Sequence, residues 1–316
     1  MSIGTNIKKR RFELKLSQQE LANKLGYKTR STIAKIEADE ISVSTKKLLS
    51  FAYALDTSIE ELLNGSATKT ILFSSGSNKK NSKGKNIAII QAGGKSSRNL
   101  QNVPNQFINV LGKPIIMYVL EIYEHHPAID EIYIVCLKGW ENILKSYCNQ
   151  YNIFKLKNII PGGESGIMSV KNSFDSLKNS LSKEDTLIFQ EANRPLVTDE
   201  MISKILWKSK ELGSAIIAEP MNDYLQFLNF TSGPKLIDRN LIVCMQSPEA
   251  YNFGVLNGIF EQSEKCNHKY TESSLPLFLY NMGYKLNFIE GNHNNIKILR
   301  QEDVAIFTAL IKVKNL

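Results

Sequence analysis

Apolar residues recur along the chain in two rhythms. Over residues 1–65 they come at helical spacing: Leu21, Ala22 and Leu25 on one face, Ile33 and Ile36 on the next, then Leu48, Leu49, Ala52 and Leu55, and finally Leu62 and Leu63. Ser17-Gln-Gln-Glu20 forms a capping box at the start of the first of these helices, because the Ser hydroxyl can accept the Glu20 amide while Glu20 reaches back. Gly26 supplies the residue that ends that helix. Ser31–Ala38 reads as the next helix, and Ser58-Ile-Glu-Glu61 repeats the box. From Asn86 onward, short apolar runs alternate with helical patterns. Asn86–Gln91, Glu131–Cys136, Lys157–Ile160, Thr186–Gln190 and Ser214–Ala218 read as strands. Pro114–Glu124, Gly139–Asn149, Ser165–Ser180 and Asp199–Lys210 read as the helices between them. That alternation predicts a mostly parallel sheet with right-handed crossovers.

Between the two regions, residues 66–85 (SATKTILFSSGSNKKNSKGK) carry Ser, Lys, Asn and Gly and no acid, the composition of a flexible basic linker. The chain therefore divides into a helical domain at 1–65, a linker at 66–85 and an α/β domain at 86–316. Charge divides the same way. Residues 1–86 hold 16 Lys and Arg against 8 Asp and Glu, while the remaining 23 basic residues are matched by 23 acidic ones. The whole excess of +8 sits at one end and points to a polyanionic partner for that end alone. Four scattered cysteines form no CxxC pair, no apolar window is long enough to span a membrane, and no secretory pattern opens the chain, so a cytoplasmic protein is expected.

The series Ser17-Gln-Gln-Glu-Leu-Ala-Asn-Lys-Leu-Gly26, a turn, then Ile33-Ala-Lys-Ile-Glu37 resembles the Cro and lambda-repressor-like helix-turn-helix family over residues 3–65. The resemblance implies a DNA partner, with the second helix entering the major groove by its N-terminal end. Lys28, Thr29, Arg30, Ser31, Thr32 and Lys35 project from that end. Arg30 is suited to a guanine edge, Lys28 and Lys35 to phosphates, and Gln18 and Gln19 to the backbone. The plainer reading is a solvated helical face; the charge asymmetry favours DNA.

In the second region, the strand Ile87–Gln91 runs into Ala92-Gly93-Gly94-Lys95-Ser96-Ser97-Arg98. A Gly-rich turn at this place lets backbone N–H groups approach a phosphate, although it is neither a Walker loop nor GxGxxG and could be a plain turn. Further along come Pro104-Asn-Gln-Phe107, Leu111-Gly-Lys-Pro-Ile115, Gly162-Gly-Glu164 with Ser169, Glu191-Ala-Asn-Arg-Pro195, Asp238-Arg239, Gln246-Ser-Pro248 and Asn295-Ile-Lys297. In that order and spacing they are similar to the cytidylyltransferases acting on 2-C-methyl-D-erythritol 4-phosphate and on ribitol 5-phosphate. The Ala-Gly-Gly form leans toward the ribitol branch.

The resemblance implies a Rossmann-like, GT-A-like nucleotidyltransferase fold: a mixed sheet with helices on both faces. It also implies Mg²⁺-assisted transfer of CMP from CTP to a polyol or sugar phosphate, with release of pyrophosphate. Arg98 and Lys297 would face the triphosphate as catalytic cations. Ala92, Gly93, Gly94 and Lys95 would bind the nucleotide, with Gly163, Glu164 and Ser169 at the cytosine. Glu191, Arg194, Asp223 and Arg239 fall where the family handles metal or acceptor phosphate. A β-arm over residues 225–243 would mediate a homodimer.

Several positions depart from the family. Asn105 stands where it has Lys, Ser96 where it has Gly, Gly166 where it has Arg, Gln190-Glu191 where it has His-Asp, and Tyr224 where it has Thr. The losses near the triphosphate leave a second reading: a transcriptional regulator whose enzyme-like domain binds CTP or a CDP-linked product without turnover.

Overall fold

The computed structural model describes residues 2–27, 29–43, 45–55, 57, 62–63, 84–94, 103–221, 226–227, 236–237 and 242–314. The chain forms two compact units, Met1–Lys83 and Gly84–Leu316. Most of the proposed linker, the second capping box and the Lys95–Arg98 stretch lie outside the described residues. Gly84 and Lys85 already pack on the second unit, since the Lys85 amide donates to Asp185 Oδ1 (2.7 Å) and its carbonyl accepts the Thr186 N–H (2.8 Å).

The first unit contains helices α1 (Ile3–Glu13), α2 (Gln18–Lys24), α3 (Arg30–Glu37) and α4 (Thr45–Ala54). The capping box at Ser17 is present with both of its hydrogen bonds. Gly26 takes φ +71°, the left-handed conformation that turns the chain out of α2. Ile7, Leu21, Ala22, Ile33, Ile36, Leu48, Phe51 and Leu55 form the core. Within that core lies one ion pair: Arg11 forks onto Glu37 (2.5 and 2.9 Å) and also donates to Leu16 O (2.7 Å). Burial alone would raise the Glu37 carboxyl; the Arg11 and Gln18 hydrogen bonds and the Arg11 charge hold it below the usual range instead.

The second unit is built on a seven-stranded sheet of β1 (Asn86–Ala92), β4 (Glu131–Cys136), β5 (Leu156–Pro161), β6 (Thr186–Glu191), β7 (Ser214–Pro220), β10 (Val243–Asn252) and β11 (Phe288–Glu290). Across the sheet their order is β11-β7-β10-β6-β1-β4-β5. Two small pairs stand apart, β2 (Asn109–Val110) with β3 (Lys113–Pro114) and β8 (Gln226–Phe227) with β9 (Leu236–Ile237). The second pair falls within the stretch read as a β-arm. Ile87–Ile90 are fully buried, as a parallel strand covered on both faces requires.

Helices α7 (Gly166–Leu177), α9 (Phe253–Lys265) and α10 (Leu275–Asn281) cover one face, where Phe174, Phe253, Phe260 and Phe278 pack onto Ile87, Ile89, Leu187 and Phe189. On the other face lie α5 (Ile115–His125) and α8 (Asp199–Leu212), with Tyr123 Oη donating to Gln190 Oε1 (3.1 Å). α6 (Glu141–Gln150) follows β4, and α11 (Gln301–Lys314) packs Phe307 beside Ile298. Among the described residues no helix is long and apolar enough to cross a membrane.

Strand β10 makes the sheet mixed, as the resemblance implies. It runs antiparallel between β6 and β7, and its pairing with β7 slips between Gln246 and Glu249. Pro248 has no N–H to give a central ladder, and this bulge accommodates it.

His126, just after α5, is buried. Its Nδ1 accepts the Ala128 N–H (3.2 Å) and its Nε2 faces Asp199 O (3.2 Å) and Ser203 Oγ (3.0 Å). Burial lowers its pKa from 6.5 to about 4. The unfolded chain therefore binds a proton that the folded one refuses. Stability is fully present above pH about 6.5 and falls as the pH drops toward about 4, by about 3 kcal/mol from this group. Urea unfolding across that range should show the loss, and His126→Gln should flatten it.

Candidate active site and DNA-facing helix

The parallel strands end together, and their C-terminal edge carries two clusters. The first surrounds the glycines after β1. Gly93 lies against Gly162, close enough that a Cβ on either would sit 3.3–3.4 Å from the other's Cα. Gly163 donates its N–H to Ser169 Oγ (3.0 Å), and a Cβ on Gly163 would come within 2.6 Å of Met168 Cβ. Three backbones thus approach where side chains would keep them apart. The N-terminus of α7, capped by Ser165, opens beside them. An anion at such a helix end meets unpaired N–H groups and the positive end of the dipole. Ala92 closes β1, and its carbonyl accepts from Gln106 Nε2 (2.8 Å), which also reaches Gly94 O (3.3 Å). Glu164 is exposed at the same edge.

The second cluster is one strand away, since Glu191 ends β6 in register with Gln91. One Glu191 carboxylate oxygen pairs with Lys297 Nζ and the other with Arg194 Nε (2.6 Å). Burial pushes this carboxyl up, but the two cations hold it below the ordinary range. The Lys297 segment is pinned on several sides. Arg194 Nη1 donates to Asn295 O (2.7 Å), and Asn193 exchanges two bonds with Ile298 (2.8 and 2.9 Å). Asn295 Nδ2 donates to Ser247 O (2.7 Å) and Gln246 Oε1 (3.1 Å). The structure therefore brings Ala92, Gly93, Gly94, Gly163, Ser169, Glu191, Arg194 and Lys297 to one edge. Lys95, Arg98, Asp223, Tyr224 and Arg239 lie outside the described residues.

Two departures acquire structural reasons. Asn105 is buried, and its amide donates to Ile298 O (3.3 Å) and Leu299 O (3.2 Å), so it anchors the segment bearing Lys297 instead of adding a charge. At Gly166 a Cβ would meet Ser273 O at 2.4 Å, so the segment before α10 occupies the space a longer side chain would need. Gly166→Ala should cost about 1–3 kcal/mol by overpacking, measurable as a lower denaturation midpoint of the α/β unit. Asn193 and Asn295 stand within the motifs at 191–195 and 295–297, but their pinning role depends on contacts across the fold that no sequence pattern carries.

In the helical unit, Thr29, Arg30, Ser31 and Lys35 are exposed and Thr32 is half-buried along α3; Lys28 lies outside the described residues. Gln19 is exposed, and its Oε1 accepts the Arg30 N–H (3.3 Å), taking the place of the side-chain cap that Thr29 does not make. The expectation that Gln18 faces the DNA backbone changes: its amide donates inward to Glu37 Oε2 (2.9 Å), tying α2 to α3.

Comparison with known proteins agrees with both halves. Residues 7–62 match the helix-turn-helix family. The ribitol-5-phosphate cytidylyltransferase of Lacticaseibacillus paracasei is 32% identical over 232 residues, 72% of this chain and 99% of that protein. The 2-C-methyl-D-erythritol 4-phosphate cytidylyltransferase of Clostridium botulinum is 29% identical over 70% of this chain and 95% of its own length. Among solved structures, the 4-diphosphocytidyl-2C-methyl-D-erythritol synthase of Anaerococcus prevotii shares the fold with a TM-score of 0.61 at 21% identity, covering 73% of this chain and 99% of that one. With residues 86–313 matching its profile, the chain belongs to the 2-C-methyl-D-erythritol 4-phosphate cytidylyltransferase family.

Proposed function

We propose that the α/β unit transfers CMP from CTP to a polyol phosphate, with ribitol 5-phosphate the first acceptor to test, and that the helical unit binds duplex DNA. The observation that carries the first part is the Lys297–Glu191–Arg194 cluster set one strand from the glycine backbones at 93–94 and 162–163. In this reading the glycine turn and the α7 N-terminus cradle the nucleotide, with Gly163 and Ser169 at the base. An acceptor phosphate oxygen forms a bond to the α-phosphorus as the bond to the bridging oxygen breaks and pyrophosphate leaves. Lys297 and Arg98 neutralise charge growing on the phosphoryl oxygens, and Arg194 with Arg239 holds the acceptor phosphate.

Mg²⁺ enters as the CTP complex. Both Glu191 oxygens are already paired with cations, and the described residues hold no cluster of three or more His, Cys, Asp or Glu that could cage a metal. A metal held chiefly by phosphate oxygens suits that arrangement.

One observation favours the non-catalytic regulator: Asn105 contributes no charge and spends its amide on main-chain carbonyls. Pyrophosphate release with a panel of polyol phosphates separates the two readings. Turnover by the unmodified protein eliminates the pure sensor; binding of CTP without turnover on any acceptor eliminates the enzyme.

For DNA, the exposed face of α3 together with the +8 excess supports groove binding. Pairing of two chains through the residue 225–243 arm would present two such helices to a palindromic site. Arg30→Ala should lose about 1–3 kcal/mol of discrimination between sequences and keep salt-sensitive binding. Gel-shift titrations at two salt concentrations check this, and salt-independent binding by the unmodified protein would rule the reading out.

A further inference from the structure

Glu249 has none of the roles above, yet it sits where a carboxylate is costly. On the central strand β10 it pairs with Phe189 of β6 and Ile216 of β7. Directly paired residues share a face, so Glu249 points to the side of the sheet that carries Glu191, one side-chain row and about 7 Å further into the sheet. Its same-face neighbours Phe189, Ile216 and Tyr251 are buried, whereas part of Glu249 remains accessible. Strands flank Glu249 on both sides, so its accessible part opens onto that face. The bulge between Gln246 and Glu249 re-aims the side chain there, and Ser247 within it accepts the Glu191 N–H (3.0 Å).

Among the described residues the carboxyl receives one hydrogen bond, from Tyr251 Oη to Oε2 (3.0 Å), and no cation pairs with it. The titratable and charged groups around it are Tyr251 on β10, Tyr284 beyond Tyr251, and Glu191 on β6 with its partners Arg194 and Lys297; β7 presents apolar Ile216. Burial, with the Glu191 charge adding and the Tyr251 hydrogen bond opposing, pushes the Glu249 carboxyl up to about 8. At neutral pH it carries its proton and is a donor.

We propose that Glu249 is a specificity residue whose carboxyl hydrogen-bonds a hydroxyl of a bound substrate, either the polyol acceptor or the ribose of the nucleotide. The inference rests on the transferase reading of the same site. It is tested by measuring KM for CTP and for ribitol 5-phosphate from about one unit below to about one unit above pH 8, in the unmodified protein, Glu249→Gln and Glu249→Leu. In the unmodified protein one of the two KM values should rise about tenfold as the donor is lost and a charge replaces it. Which of the two moves identifies the substrate contacted. Glu249→Gln keeps donor hydrogens and cannot ionise, so its KM should stay level over that range; Glu249→Leu should be impaired at both ends.

An alkaline rise that persists in Glu249→Gln, or a Glu249→Leu profile that matches the unmodified protein, would overturn the proposal. Calorimetric affinities for CTP and ribitol 5-phosphate over the same range separate this from failure of the transferase reading. A pH-dependent affinity that Glu249→Gln abolishes supports the donor role even without turnover. An affinity level with pH in all three proteins overturns it.

Discussion

Lys297→Met is expected to lower the rate of CMP transfer by about 100- to 1,000-fold, the cost of removing one preorganised charge from a phosphoryl-transfer site. Lys297 is held in place before any substrate arrives: Asn193 and Asn105 grip Ile298 beside it, Asn295 anchors the chain two residues earlier, and Glu191 pairs with the ammonium. Such a group stabilises developing charge without reorganising during the reaction. Folding should change little, because Lys297 is about a third exposed and Glu191 keeps Arg194 as a partner. Single-turnover rates with saturating CTP, beside a denaturation curve, read both halves. A loss confined to stability, with the rate per folded molecule unchanged, would show that Lys297 is only an ion-pair partner.

Arg11→Met should unfold the helical unit at ordinary temperature and abolish DNA binding. Glu37 would be left buried with its charge uncompensated, at a cost of about 3–5 kcal/mol. A domain of this size has only about 5 kcal/mol to lose. The pair holds α1 to α3, and Gln18 links α2 to the same carboxylate, so three helices loosen at once. Arg11→Met combined with Glu37→Met should regain much of the stability, because the cost lies in the orphaned charge and not in the lost pair. Circular dichroism melts of the single and double variants test this. A single variant that melts like the unmodified chain would mean that water reaches Glu37.

Local pattern carried much of the fold. The capping box at Ser17 and the unbroken apolar run Ile87–Ile90 are decided by neighbours in sequence, and both appear where the pattern puts them. What the pattern missed depends on distant contacts. Strand β10 mixes polar and apolar residues and contains Pro248, which reads against a central strand; only the bulge between β6 and β7 makes room for it. The glycines of the site were visible as a motif, but Gly166 could not be explained before Ser273 O was seen against it. Gln18 looked like a surface residue because nothing in sequence ties it to Glu37, nineteen positions away. Glu249 gives no signal at all: a single Glu in a strand is ordinary until its neighbours across the sheet prove apolar.

The cluster around Lys297 either performs chemistry on CTP or only binds it. The most direct measurement is pyrophosphate release by the full chain from CTP with Mg²⁺ and ribitol 5-phosphate, against a control lacking the acceptor. Release that depends on the acceptor, forms a CDP-linked product and collapses in Lys297→Met is the predicted result. CTP binding with no acceptor-dependent pyrophosphate, across a panel of polyol and sugar phosphates, would contradict it.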